Sequence, residues 1–174
     1  MSQYIQEQEQ VQKQEKRPTG LLVLCVLTMI STGWQLLGSL GGLVSAAATP
    51  KDLSEVKLKY AELINLFKEF GQTDGFEPIL KMQDIEIAVV ENLQFFSFLG
   101  LIFAGVGLFG AFKMYNGFKL GFHLYIVYSF LSLIHYHFVI SPSEIPMHLL
   151  VVNGLFSLLF VFLYSRHLKW MQAS

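Results

Sequence analysis

Among the side chains of the apolar stretches that could coordinate, react or hydrogen-bond, the histidines and amides stand out. His135 and His137 stand near one end of the apolar run 120–140, and His148 opens the run 147–165. Neutral imidazole is the commonest metal ligand, so these three are the candidates for holding a haem or a metal ion. Their spacing opposes a shared ion. At about 100° per residue His135 and His137 point about 200° apart on a helix, and they converge only if the helix unwinds ahead of Pro142. No HExxH, CxxCH or paired carboxylates accompany them. Anchoring at headgroup depth, beside Tyr125 and Tyr136, is the better reading, and no metal or cofactor is assigned.

The remaining chemistry is thinner still. Cys25 is the only cysteine, so thiol–disulfide exchange within the chain has no second partner, and a thiol in an apolar helix acts as a small hydrophobe. Ser, His and Asp form no nucleophile motif, and no glycine-rich phosphate loop follows a strand. An enzyme is not expected. Gln35, Gln94, Asn153 and His123 are the polar side chains placed inside apolar runs; at bilayer depth they must hydrogen-bond between helices or face a cavity. No Asp, Glu, Lys or Arg joins them, which counts against an ion-coupled carrier or a proton relay.

The elements that must position these residues follow from where charge is missing. Of 174 residues only 14% are charged, against about a quarter in soluble domains, and mean hydropathy is +0.48. Reading from charge to charge leaves four uncharged runs, giving spans at about 20–44, 92–112, 120–140 and 147–165. Each reaches the roughly 20 residues that cross a hydrocarbon core of about 30 Å. The first run is too long, and its leader too acidic, for a cleaved signal peptide.

Lys13, Lys16, Arg17, Lys113, Lys119, Arg166 and Lys169 then fall on one side with three glutamates, and the other side is left at −5 against +4, making up the formal −1. Basic residues near span ends stay in the cytoplasm. Both termini are therefore expected there. The near-zero net charge gives no footprint for nucleic acid.

Residues 1–19 read as a polar cytoplasmic tail and 20–174 as one membrane domain. Between the first two spans, residues 51–91 form the only sizeable segment outside the bilayer. Leu53, Val56, Tyr60, Leu63, Phe67 and Phe70 recur at steps of three and four, an apolar stripe on one helix face. Residues 71–75 break it, and a second helix is expected to start near Pro78 and to run unbroken through Glu91 into the second span. The expected fold is all-α: an integral membrane antiparallel four-helix bundle with an extracytoplasmic helical hairpin between helices 1 and 2.

Small residues complete the picture. Gly38 and Gly42 form a GxxxG, and Gly100 with Ala104 and Gly107 with Ala111 repeat the small-xxx-small spacing; such faces let helices approach closely in lipid, within the chain or between copies. Besides the lipid bilayer, the expected partner is another membrane protein or a second copy. The expected function is a non-enzymatic accessory or scaffold subunit that binds through the outer hairpin and these faces. The alternative is a small pore or carrier with a polar cavity, and third comes a haem or metal protein.

The stretch from Arg17 to Thr28, RPTGLLVLCVLT, resembles the RPTxLxVLCxLT-like opening of a set of small bacterial membrane proteins. The resemblance covers about a dozen residues and implies four spans and a bacterial cytoplasmic membrane; it brings no catalytic residues.

Overall fold

A computed structural model describes residues 17–45, 47, 49–71, 74–141 and 144–171, and among them every regular element is helical. The expected N-terminal tail lies almost wholly outside the described residues, as does Pro142. In chain order the elements are α1 (Thr19–Val44), α2 (Pro50–Glu69), α3 (Glu77–Glu91), α4 (Leu93–Tyr115), α5 (Lys119–Ile134), a 3-10 turn (His135–Phe138) and α6 (Met147–Ser165). Three of them, α1, α4 and α6, are long and apolar enough to cross a membrane.

The run 120–140 departs from a single α-helix. Its α-helical part stops at Ile134 after 16 residues and tightens into the four-residue 3-10 turn. Local contacts hold that break: the His135 ring stacks on Phe96 with centroids 3.8 Å apart, and His135 Nε2 lies 3.1 Å from the Phe96 carbonyl oxygen. The second helix of the segment 51–91 likewise stops short of the next one, since Asn92, at φ −110° and ψ 27°, separates α3 from α4.

Small residues let α1, α4 and α5 lie close. Gly42 abuts Ser97, Gly100 lies beside Ser39, and Gly107 faces both Thr32 and a Tyr128 ring. Ala104 and Ala111 are fully buried in the same seam. At the crossing of α4 and α5, Gly110 and Gly121 bring backbone against backbone, and Gly117, at φ +85°, makes the turn that a side chain would strain. The GxxxG splits in use, because Gly38 has nothing within 4 Å of where a side chain would begin.

Two cores close the two ends of the body. At the end carrying Arg17, Lys113 and Lys169, Leu21, Leu24, Cys25, Met114, Phe122, Tyr125, Tyr128, Tyr164 and Met171 form one cluster. There the Arg17 guanidinium sits 3.7 Å from the Tyr115 ring centre. Trp170 packs against this cluster, over Gly117. At the opposite end Ile85 of α3 meets Ile140 and Ile145.

α2 begins with a reciprocal cap: Thr49 N–H donates to Asp52 Oδ2 at 2.7 Å, and Asp52 N–H donates to Thr49 Oγ1 at 3.3 Å. The Thr49 backbone N–H, and next the Thr49 hydroxyl donating to the same Oδ2 at 2.7 Å, hold the Asp52 carboxyl below its usual range. The stripe read along α2 is only partly covered. Val56 and Tyr60 are buried against α3, whereas Leu63, Phe67 and Phe70 are 38%, 37% and 82% exposed. Contact with α3 is therefore made by the first half of the helix.

Candidate functional site

α6 is fastened at both ends and loose between them. Tyr164, Phe160 and Met171 pack into one core, and Leu149 and Leu150 into the other. Along the middle, Val151, Val152, Leu155, Phe156, Leu158 and Leu159 are all exposed. α1 and α6 meet where Thr28 Oγ1 and Tyr164 Oη share a buried hydrogen bond of 2.8 Å. Away from that bond the helices part around a cleft.

The cleft consists of two adjoining cavities of about 490 Å³ and about 470 Å³, which share Gln35, Ser132 and Asn153 in their walls. The first continues toward the α2/α3 end past Trp34, Ser39, Phe96, His135 and Tyr136. The second runs toward the basic end past Thr28, Ser31, Tyr125, Ser129, Ser157 and Phe160. Among the described residues no Asp, Glu, Lys or Arg lines either. A third cavity, about 250 Å³, shares Val89, Phe96 and Tyr136 with the first and ends at Tyr60 and Glu86.

Helical periodicity places these polar groups. Thr28, Thr32, Gln35 and Ser39 fall within about 60° of one another around α1, and Tyr125, Ser129 and Ser132 fall within a similar arc of α5. Asn153, Ser157 and Tyr164 share one face of α6 by the same arithmetic. Some of the groups are tied off: Thr32 Oγ1 donates to the Thr28 carbonyl at 2.7 Å, and Tyr128 Oη donates to Gln35 Oε1 at 3.0 Å. Others are not. The side chains of Ser132, Asn153 and Ser157 form no hydrogen bond among the described residues.

The residues singled out in the sequence divide accordingly. Gln35 and Asn153 come together in the cleft. Gln94 does not reach it; its amide donates to the Ser45 carbonyl at 3.3 Å and lines a separate cavity with Ala47 and Asn92. His123 is exposed on the far face of α5, beside the Phe122 ring. Of the three candidate ligating histidines, His135 is half-buried between Phe96 and Phe103, while His137 and His148 are exposed. Among the described residues no three His, Cys, Asp or Glu side chains are grouped as a metal site. Gly38 and Gly100 line the first cavity, and Gly42, Ala104, Gly107 and Ala111 lie in the helix seams.

Thr28, Ser39, Tyr125, Ser129, Ser132 and Ser157 were absent from the expected set. Their signal in the sequence is a hydroxyl every three or four residues on helices otherwise apolar.

At the α2/α3 end, Lys59 Nζ donates to both Glu86 carboxylate oxygens, at 2.8 and 2.9 Å, and Tyr60 Oη donates to Glu86 Oε2 at 2.8 Å. Partial burial pushes the Glu86 pKa upward, but the hydrogen bonds from Lys59 and Tyr60 and the Lys59 charge outweigh it, leaving the carboxyl below its ordinary value. Burial, followed by the hydrogen bond to Glu86 and its negative charge, pushes Tyr60 up to about 12. The cluster ties α2 to α3 over the third cavity.

No protein-family model, curated protein or solved structure matches the chain.

Proposed function

We propose that this chain is a non-catalytic, four-span membrane protein that holds a small molecule in the cleft between α1 and α6. The observation that carries this is the set of uncharged, unpaired polar side chains, Asn153 and Ser132 foremost, lining a gap between helices that are otherwise apolar. In hydrocarbon an unpaired amide or hydroxyl is costly. Such a gap is best maintained when something polar fills it. The volume lies within the roughly 300–1,000 Å³ of small-molecule sites.

The topology behind this reading uses α5 as the fourth span. Its 16 residues rise about 24 Å and the 3-10 turn adds about 8 Å, together enough for a core of about 30 Å. Arg17, Lys113, Lys119, Arg166 and Lys169 then lie at one membrane face, which the positive-inside tendency makes cytoplasmic, and α2 and α3 lie outside. A bacterial cytoplasmic membrane follows from the resemblance of residues 17–28.

Gentle detergent extraction followed by native mass spectrometry tests the reading. The expected result is a stoichiometric small-molecule adduct on the wild-type chain that is lost from Asn153→Trp, where the indole fills the cleft. Adduct-free wild-type protein overturns it.

A second reading, an accessory subunit that docks a partner outside the membrane, is favoured by the exposed Leu63, Leu66, Phe67 and Phe70 of α2. Crosslinking from a cysteine placed at Phe70 distinguishes it: capture of another membrane protein supports it, and a chain that stays monomeric and uncrosslinked removes it. The small-residue faces give this reading less support than α2 does, because Gly42, Gly100 and Gly107 meet Ser97, Ser39 and Tyr128 of the same chain.

A further inference from the structure

Resting on the ligand-holding reading above, we infer the class of the ligand: an uncharged amphiphile, with hydroxyl or carbonyl oxygens in its head and a hydrocarbon chain leaving between α1 and α6. Charge decides the head. A phosphate or carboxylate drawn into the cleft loses its hydration, and among the described residues the walls hold no cationic side chain to offset that loss. What they offer is a neutral set. The Gln35 carbonyl is already engaged by Tyr128, which leaves its amide N–H groups as donors. Asn153 presents both a donor and an acceptor, and Ser132 a hydroxyl, to either cavity.

The rest of the wall fits the remainder of such a molecule. The stacked Phe96 and His135 rings, with Phe103 and Tyr136, give the first cavity a flat aromatic side against which a ring or a short alkyl stem lies. Leu27, Leu133, Phe156 and Phe160 supply apolar surface in the second cavity. A neutral glycerolipid and a membrane-soluble quinone share this chemistry, and the test below separates them.

Trp34 lies in the wall of the first cavity and is 78% exposed, and the only other tryptophan is Trp170. Trp170→Phe therefore leaves Trp34 as the sole reporter in the full chain. Reconstituted in phosphatidylcholine nanodiscs, this variant is titrated with a dibrominated diacylglycerol, a short-chain benzoquinone and a dibrominated phosphatidylglycerol.

The expected result is saturable quenching of Trp34 by one of the two neutral probes, which identifies the source. Asn153→Leu should raise its half-saturating mole fraction about three- to tenfold, the worth of one net hydrogen bond. The anionic probe should quench linearly and without regard to Asn153. Ser132→Ala, a milder change, should shift the neutral probe in the same direction, and an unchanged melting transition ties either shift to the cleft. Saturable, Asn153-dependent quenching by the anionic probe alone overturns the ligand class and leaves the ligand-holding reading standing. Linear quenching by all three probes, indifferent to Asn153, overturns both.

Discussion

Adding one methyl group at Gly121 or at Gly38 should move stability in opposite directions, although both are helical glycines in apolar segments. A side chain begun at Gly121 meets the Gly110 carbonyl oxygen and the Met114 backbone nitrogen, neither of which can rotate away. In Gly121→Ala, α4 and α5 must separate by about an ångström, loosening Met114, Phe122 and Tyr125 in the core they share. Overpacking of this kind costs about 1–3 kcal/mol, and backbone neighbours put it at the upper end. The gain in helix propensity, at most about 1 kcal/mol, is small in the first turn of α5. The net expectation is a loss of about 2 kcal/mol. Gly38→Ala meets nothing within 4 Å, so only the propensity term remains, and the variant should gain up to about 1 kcal/mol. The gap of about 3 kcal/mol is roughly two decades in the unfolding equilibrium constant. Reversible unfolding of full-length protein from one mild detergent by titration with dodecyl sulfate, followed by far-ultraviolet circular dichroism, resolves it. A Gly121→Ala midpoint equal to or above that of Gly38→Ala would refute the close backbone approach of α4 and α5.

Acid should release α2 from α3. The Glu86 pKa is lowered in the folded chain, so its contribution is present above the ordinary value of 4.5 and is lost as pH falls below it. Because the Lys59 and Glu86 side chains are 64% and 33% exposed, the effect is worth less than about 1 kcal/mol. Hydrogen exchange of α2 should quicken on acidification in the wild type and show no such step in Glu86→Gln; identical profiles would refute the role. At the opposite end, Tyr164→Phe removes only the hydroxyl, with its hydrogen bonds to Thr28 and Cys25, and should cost about 1 kcal/mol. Tyr164→Ala also empties a fully buried site packed against the Tyr125 ring and should cost about 3–5 kcal/mol. Equal losses for the two substitutions would place the value of Tyr164 in its hydroxyl.

How far the fold was legible depended on which physical signal each element carries. Uncharged runs give α1, α4 and α6 to within three residues, because crossing a bilayer demands length and apolarity that hydropathy measures directly. The end of α5 at Ile134 leaves no such trace. It depends on His135 finding Phe96, a contact 39 residues distant in sequence. The half-covered stripe of α2 is similarly invisible, since periodicity shows that Leu63 and Phe67 share a face with Tyr60 but not how far α3 extends beneath it. For the site, Gln35 and Asn153 stood out as amides in apolar helices. His123 was equally conspicuous, yet it stands about 160° round α5 from Tyr125, a separation that helical geometry alone already implies. The hydroxyls were passed over because Ser and Thr barely change the hydropathy of a run, although their spacing marks the same faces.

One pattern on three helices therefore does two things. Near the basic end the polar groups satisfy each other: Thr28 with Tyr164, and Thr32 with the Thr28 carbonyl, in a core where Leu21 and Cys25 are fully buried. Polar side chains that join helices in lipid behave in this way, each finding a partner across the seam. One to three helical turns farther along, the same faces carry Ser132, Asn153 and Ser157, which find none among the described residues. Were these groups present only to bind α6 to the body, drawing α6 inward would pair them and cover the exposed Phe156. α6 is instead anchored at Tyr164 and again near Leu149 and Leu150, with the unpaired stretch between the two anchors. Two anchors hold a gap at fixed width where a single seam would close it. On the proposed reading, that arrangement preorganises the site, since its polar groups are positioned before a ligand arrives.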